Sequence, residues 1–269
     1  MPTTYTHDYF GRRVYKQLPR EIRQTIREHR DLYRIGLHGP DILFYFLMSK
    51  NPVSSHGVKM HNEAAADYFE KNIKLIRETG DDELLAYILG FACHYMLDSA
   101  AHPFVNKMAA EKVISHTLLE KELDRYLMEV TGRDPYTYYP SDVVKPKWKY
   151  AKVIHRAIPK ISTLSIYLTL YFMKWITNYM VCHDGGKRRQ RLYRIASLAG
   201  KKNAEKLADY FMRHKAAPEA EIPVRKLVHI LEETIPEAAY ELKILYHMAK
   251  DPDEGMKLSA RWHLDYRGI

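Results

Sequence analysis

Residues 84–97, LLAYILGFACHYML, are apolar almost without a break. A helix that is apolar on every side has no face to give to water, so it must be buried all round by other elements. That single segment predicts a central helix, running from Asp82 to His102 and stopped by Pro103, with the rest of the chain wrapped around it. The chain is long enough for this, at 269 residues.

The remaining pattern is helical too. Alternating apolar and polar runs joined by Asn-Gly or Asp-Gly turns, the mark of hairpins, are missing, and the reading is an all-α, multi-helix bundle. Thr6 predicts the N-cap of a first helix reaching Leu18, and Pro19 opens a second that ends near His29. Gly39-Pro40 opens a third, Asn62 to Thr79 reads as a fourth, and Ala109 to Val130 follows the central helix. Residues 133–146, with three prolines and no helical period, form a linker. Four further helices are expected at Trp148–Ala157, Ile161–Cys182, Arg188–Lys215 and Ile222–Lys250. The division expected is a core over residues 1–135, with a metal cluster between its helices, and an additional helical region over 136–269 packed on it.

Chemistry is concentrated in the apolar helix. His94, Asp98 and His102 stand at i, i+4 and i+8, and residues four apart stack on one helix face. His116 and Glu120 repeat the spacing in the next helix. An exposed His/acid pair is an ordinary surface contact. A carboxylate inside an apolar helix is not, because burying it without a partner costs several kcal/mol. Two such pairs on successive helices predict a cage of imidazole nitrogens and carboxylate oxygens without thiolate, which suits catalytic zinc. The two cysteines, Cys93 and Cys182, support neither a disulfide framework nor a four-cysteine zinc site.

Taken in order, GPDILFY, the histidine of MHNE, GFACHYMLDSAAHP and SHTLLEKELD resemble the bacterial zinc-dependent phospholipase C family. The family's fold is a helical bundle around a cluster of three metal ions, shared with zinc-dependent single-strand nucleases. The resemblance covers about residues 1–135. It implies that His94 and Asp98 grip metal, with Asp98 bridging, and that His61 completes the first site, with His56 five residues earlier as the alternative. It assigns His102, His116 and Glu120 to a second site and His7 to a third. Asp41 of GPD then stands beside the first metal, as general base or water-orienting group; without the resemblance it reads as a first-turn helix acid. The cofactor implied is two or three zinc ions, because the family's secreted members complete the third site with a terminal Trp where this chain begins Met-Pro. Those members also place two more residues between the bridging Asp and the next His. Eight residues turn a helix about 80° beyond two turns, so His102 is expected to lean, or the helix to loosen before Pro103.

The second half has a different character. Residues 1–134 hold 18 Lys/Arg against 19 Asp/Glu, whereas residues 135–269 hold 24 against 14. Seven of the cations fall within 187–202, KRRQRLYRIASLAGKK. Lys187, Arg188, Arg189, Arg191 and Arg194 read either as a solvated face or as a contact for anionic membrane, with nucleic acid the less favoured partner. Tyr171, Trp175 and Tyr179 recur every four residues and read as a core stripe or, alternatively, as a face that meets lipid.

The function expected is metal-dependent phosphodiester hydrolysis of the phospholipase C type on a phospholipid. The alternatives are a nuclease or small-molecule phosphodiesterase with the same cage, and a non-catalytic, metal-stabilised helical protein that binds membranes or partners. The N-terminal segment lacks a basic stretch followed by an apolar one, and the longest apolar stretch, Ile161–Cys182, carries Lys174. A cytoplasmic protein, peripheral to membranes if bound to them at all, is the expectation.

Overall fold

The structure, a computed structural model, describes residues 4–47, 50–183, 185–198, 200, 207–213, 215–250 and 256–269. These residues are helical and contain no strand. In order the helices are α1 (Thr4–Gln17), α2 (Arg20–Glu28), α3 (Arg30–Gly36), α4 (Pro52–His61), α5 (Ala66–Thr79), α6 (Asp82–Ala110), α7 (His116–Val130), α8 (Trp148–Ala157), α9 (Thr163–Met180), α10 (Lys187–Leu198) and α11 (Glu221–Lys250). Short 3₁₀ turns lie at Gly39–Tyr45, Pro140–Val143, Pro218–Ala220 and Ala260–His263.

The apolar helix is α6, and it lies at the centre as its composition requires. Every residue from Leu84 to Ser99 is buried. Helices α1, α3, α5, α7, α8 and α11 all pack on it. It is the one described helix long and apolar enough to cross a membrane, but 89% of its most apolar window is covered by the protein. Its apolarity is therefore spent on the core. The closest approach is at the crossing with α3. A Cβ added to Gly90 would stand 2.1 Å from the carbonyl oxygen of Tyr33, and one on Gly36 2.2 Å from that of Tyr87. Only glycine lets the two backbones meet there.

Several expected boundaries are corrected. The helix does not stop at Pro103; it continues to Ala110. A proline ring displaces the preceding turn and leaves the carbonyl of residue i−4, here Ser99, without its helical donor. The turn at Gly268 fits into that spot: with φ of +76° it comes so close that a Cβ would meet the Ser99 oxygen at 2.4 Å and the Pro103 ring at 2.9 Å. Thr6 does not cap α1, which begins by Thr4. The third helix was expected to open at Gly39; α3 instead ends at Gly36, and Gly39–Tyr45 is a 3₁₀ turn. The expected Asn62–Thr79 helix begins later, at Ala66, and a further helix, α4, precedes it where none was expected. Asn51 caps α4 through Val53 N and Ser54 N, so His61 closes that helix rather than opening one, and His56 lies on it.

Helix α11, from the basic half, packs against α1, α5, α6 and α7. The expected Arg188–Lys215 helix is shorter, ending at Leu198, and part of it falls outside the described residues. On α9 the buried positions are Ile166, Thr169, Leu170 and Met173, not the aromatic stripe. Tyr171 and Trp175 face outward at 49% and 56% exposure, so the reading of the stripe as core is corrected.

Candidate metal centre

The site is built on three faces that converge on α6. Asp98 is the pivot. Its Oδ2 lies 3.3 Å from His94 Nε2, one turn back on the same helix, and its Oδ1 lies 3.2 Å from Nε2 of His7 on α1. His102, one turn forward, places Nδ1 3.6 Å from Oδ2. Asp98 is buried, and burial alone would favour its neutral form. The imidazoles of His94, His102 and His7 outweigh that and hold its carboxyl well below the usual range. His94 shows the converse. Burial pushes the imidazole toward neutrality, and Asp98 raises its pKa above the ordinary value.

The second face comes from the 3₁₀ turn and α4. Asp41 Oδ1 lies 2.9 Å from His61 Nε2. His61 donates from Nδ1 to the carbonyl of Gly57 at 2.8 Å, which turns Nε2 toward the carboxylate. Gly39 makes the approach possible. Its φ is +48°, and a Cβ there would overlap the His94 ring at 2.2 Å.

The third face is α7 against the end of α6. His116 Nε2 is 3.0 Å from Glu120 Oε1, and His102 Nε2 is 3.6 Å from the same oxygen. His102 meets this requirement by a contact across the fold. Nδ1 bonds to the carbonyl oxygen of Tyr266 at 2.9 Å, which fixes the ring with Nε2 toward Glu120. Helix α6 runs unbroken past His102, so the expected loosening before Pro103 does not occur there, and Nε2 of His102 still reaches Glu120 at 3.6 Å.

The ligand atoms form three compact sets: His7, His94 and Asp98; Asp41, His61 and His94; and His102, His116 and Glu120. Within each set all the atoms lie within 4.8 Å of one another, close enough to hold an ion. These are the eight residues singled out in the sequence. His56 is in none of the sets, which leaves His61 as the partner of Asp41. The test of fit to zinc is the imidazole of His94. Both ring nitrogens are buried and neither makes a hydrogen bond; Nε2 is near Asp98 but not aligned with it. Nδ1 of His7 is buried and unpartnered as well. Orphaned imidazole nitrogens facing carboxylates are a donor set that a divalent metal completes.

Three residues support these sets, and of them the sequence points to Asp124 alone in this role, as the next position on the His116/Glu120 face. Asp8, next to His7, is gripped by Arg34 at 2.6 Å and so fixes the start of α1 against α3. Asp124, four residues beyond Glu120, accepts from the backbone N and the Oγ of Thr6 at 2.8 and 2.7 Å. It ties α7 to the residue before His7. His38 is buried beside His7 and His94; burial and these two imidazoles push its pKa down to about 3, so it stays neutral. Such contacts join residues far apart in sequence, and no spacing rule announces them. Cys93, next to His94, is a buried thiol with its sulfur 3.3 Å from the Tyr33 hydroxyl.

Of the five cations expected on one surface, Arg189 is a correction. It is buried, donates to the carbonyl of Met212 at 2.9 Å and stacks on the Phe211 ring. Lys187, Arg188, Arg191 and Arg194 are exposed. Lys201 and Lys202 lie outside the described residues.

The family model for zinc-dependent phospholipase C matches residues 6–185, which takes in every residue of the three sets. The chain belongs to the zinc-dependent phospholipase C family. The match continues some way past residue 135, where the motif resemblance ends. Comparison with curated proteins and with solved structures returns no match.

Proposed function

We propose that the chain is a zinc-dependent phosphodiesterase that cleaves phospholipids on the glycerol side of the phosphate, releasing a diacylglycerol and a phosphorylated headgroup. The observation that carries this reading is the three convergent ligand sets, with His94 shared by two of them. His7, His94 and Asp98 would hold one ion, Asp41, His61 and His94 a second, and His102, His116 and Glu120 a third. Zinc bound there supplies a Lewis acid that lowers the pKa of water and offsets the charge of an in-line displacement at phosphorus.

The protein's own groups do the rest. Asp41 is positioned by His61 at 2.9 Å to orient the attacking water and take its proton. Tyr266 and Gly57, through their carbonyl oxygens, fix the rings of His102 and His61 so that these do not swing as charge develops. Burial of His7, His94 and Asp98 keeps bulk water away from the site.

Contact with a membrane surface is part of the proposal. Trp175 and Tyr171 are exposed on α9, and Trp175 stacks on Tyr179. Arg188 lies over the Tyr179 ring at 4.9 Å and shares with these aromatics a groove of about 540 Å³. Aromatic rings beside an exposed cation suit the headgroup region of an anionic bilayer.

The experiment is a substrate panel on zinc-loaded protein: phosphatidylcholine, a chainless choline phosphodiester and single-stranded DNA. Release of phosphocholine from the first two supports the reading. Cleavage of DNA alone would replace it with the nuclease alternative.

A further inference from the structure

A cavity of about 310 Å³ lies beside the metal centre, between α7 and α9. That volume is at the lower end for small-molecule sites, which are mainly apolar with a few placed polar groups. Its wall has this make-up. Tyr45, Ile176, Met180 and Met212 supply apolar surface, and Lys121 and Asp124 supply charge. It is linked to the centre through three elements: Lys121 follows Glu120, Tyr45 is four residues beyond Asp41, and Asp124 binds Thr6 next to His7. Asp124 stands just over one helical turn, about 6 Å, from Glu120 along α7.

Asp124 itself points to a ligand. It is 1% exposed, and Oδ1 alone takes both bonds from Thr6. Oδ2 is buried and accepts no hydrogen bond, although the charge of Lys121 acts on the carboxylate. An unmatched buried carboxylate oxygen is costly, and the group that resolves it must donate a hydrogen bond. The surrounding surface is mostly apolar, with Lys121 as its cation, and so suits a donor carried on an apolar chain.

We propose that this cavity receives the glyceride released by cleavage, with one acyl chain along Tyr45, Ile176 and Met180 and the hydroxyl freed from the phosphate donating to Asp124 Oδ2. This rests on the phospholipase reading for the identity of the lipid and extends it to a site for the alcohol that departs. A fatty acid is the other apolar-chain ligand at hand. Its carboxylate carries no donor for Oδ2, so the glycerol hydroxyl is the better match.

The experiment is calorimetric binding to the full zinc-loaded chain, read without turnover. The probes are monodecanoylglycerol, decanoate, 1-decanol and decyl methyl ether. The wild type should bind monodecanoylglycerol, and decanol should bind about fivefold or more tightly than the ether that lacks its hydroxyl. Ile176→Trp and Met180→Trp, each checked for an unchanged circular dichroism spectrum, fill the cavity and should each weaken monodecanoylglycerol at least tenfold. Unchanged affinity in both variants overturns the proposal, as does decanoate binding as tightly as monodecanoylglycerol. Hydrolysis of a chainless phosphodiester by the wild type is measured alongside. Binding without that hydrolysis means that the phospholipase reading has failed while the glyceride site stands. Hydrolysis without binding means the reverse.

Discussion

The carbonyl oxygen of Tyr266 holds Nδ1 of His102 at 2.9 Å, joining positions 164 residues apart. The same residue's backbone N donates to the His61 carbonyl at 3.3 Å, and its ring lies 5.1 Å from that of His61. One short segment near residue 266 thus braces two of the three ligand sets. The family match ends at residue 185, so this brace comes from outside it.

Gly268 is what lets the segment seat. With φ of +76° and the Ser99 oxygen in the way, Gly268→Val is expected to lift the turn off α6. The cost should be about 1–3 kcal/mol of folding stability from overpacking and backbone strain. Zinc affinity should fall about 10- to 100-fold, the usual effect of losing a group that orients a ligand. Denaturant titration and competition with a zinc chelator check the two effects separately.

Asp41→Asn is expected to lower phosphodiester turnover by about 10²-fold or more with the loss of at most the one ion that it shares with His61 and His94, because the amide keeps one oxygen toward His61 but no longer takes a proton well. Steady-state kinetics and elemental analysis of the same sample check this. Full turnover in the variant would reduce Asp41 to a first-turn acid.

Asp124 gives a pH dependence of defined sign. Burial pushes its carboxyl up to about 6, against the partial opposition of Lys121 and Thr6. The folded state therefore holds the proton more tightly than the unfolded chain. Its contribution to stability is present below about pH 4 and is lost as the pH rises through about 6. Asp124→Asn keeps an oxygen for Thr6 and does not titrate. Relative to wild type, the variant should gain stability between pH 4 and 6, on the order of 3 kcal/mol in total. Urea melts of both proteins at several pH values measure the difference; a constant difference would contradict it.

What the sequence made legible follows from the range of each interaction. His94, Asp98, His116 and Glu120 were readable because a helix fixes the i, i+4 relation locally. Trp148–Ala157 was expected with both its bounds because a polar, proline-bearing linker sets off its start. The α4 helix was missed although its signals are present: Asn51 as cap, Pro52 at the first position and Ser54 returning the bond. Its weak apolar period hid them. The passage of α6 through Pro103 was not legible, since the turn at Gly268 that packs on Ser99 and Pro103 lies far along the chain, as does Tyr266, which supports His102. The aromatic stripe of α9 misled because periodicity identifies a face and not what covers it.

The crossing of α3 and α6 is the part of the core least able to change. Gly90→Ala would place a Cβ 2.1 Å from the Tyr33 oxygen, a backbone atom that cannot rotate away. A loss of about 1–3 kcal/mol or more is expected, and with it a shift of the helix that carries His94 and Asp98. Thermal unfolding should show a lower midpoint, and zinc content should fall in parallel.

The central claim is that His7, Asp41, His61, His94, Asp98, His102, His116 and Glu120 hold zinc. The most direct measurement is elemental analysis of protein that has never met a chelator, followed by a melt after chelation. Two or three zinc ions per chain are expected. Their removal should lower the melting temperature by many degrees, since it strips the partner from a carboxylate buried in α6. A protein without transition metal, whose melting is indifferent to chelator, would contradict the account.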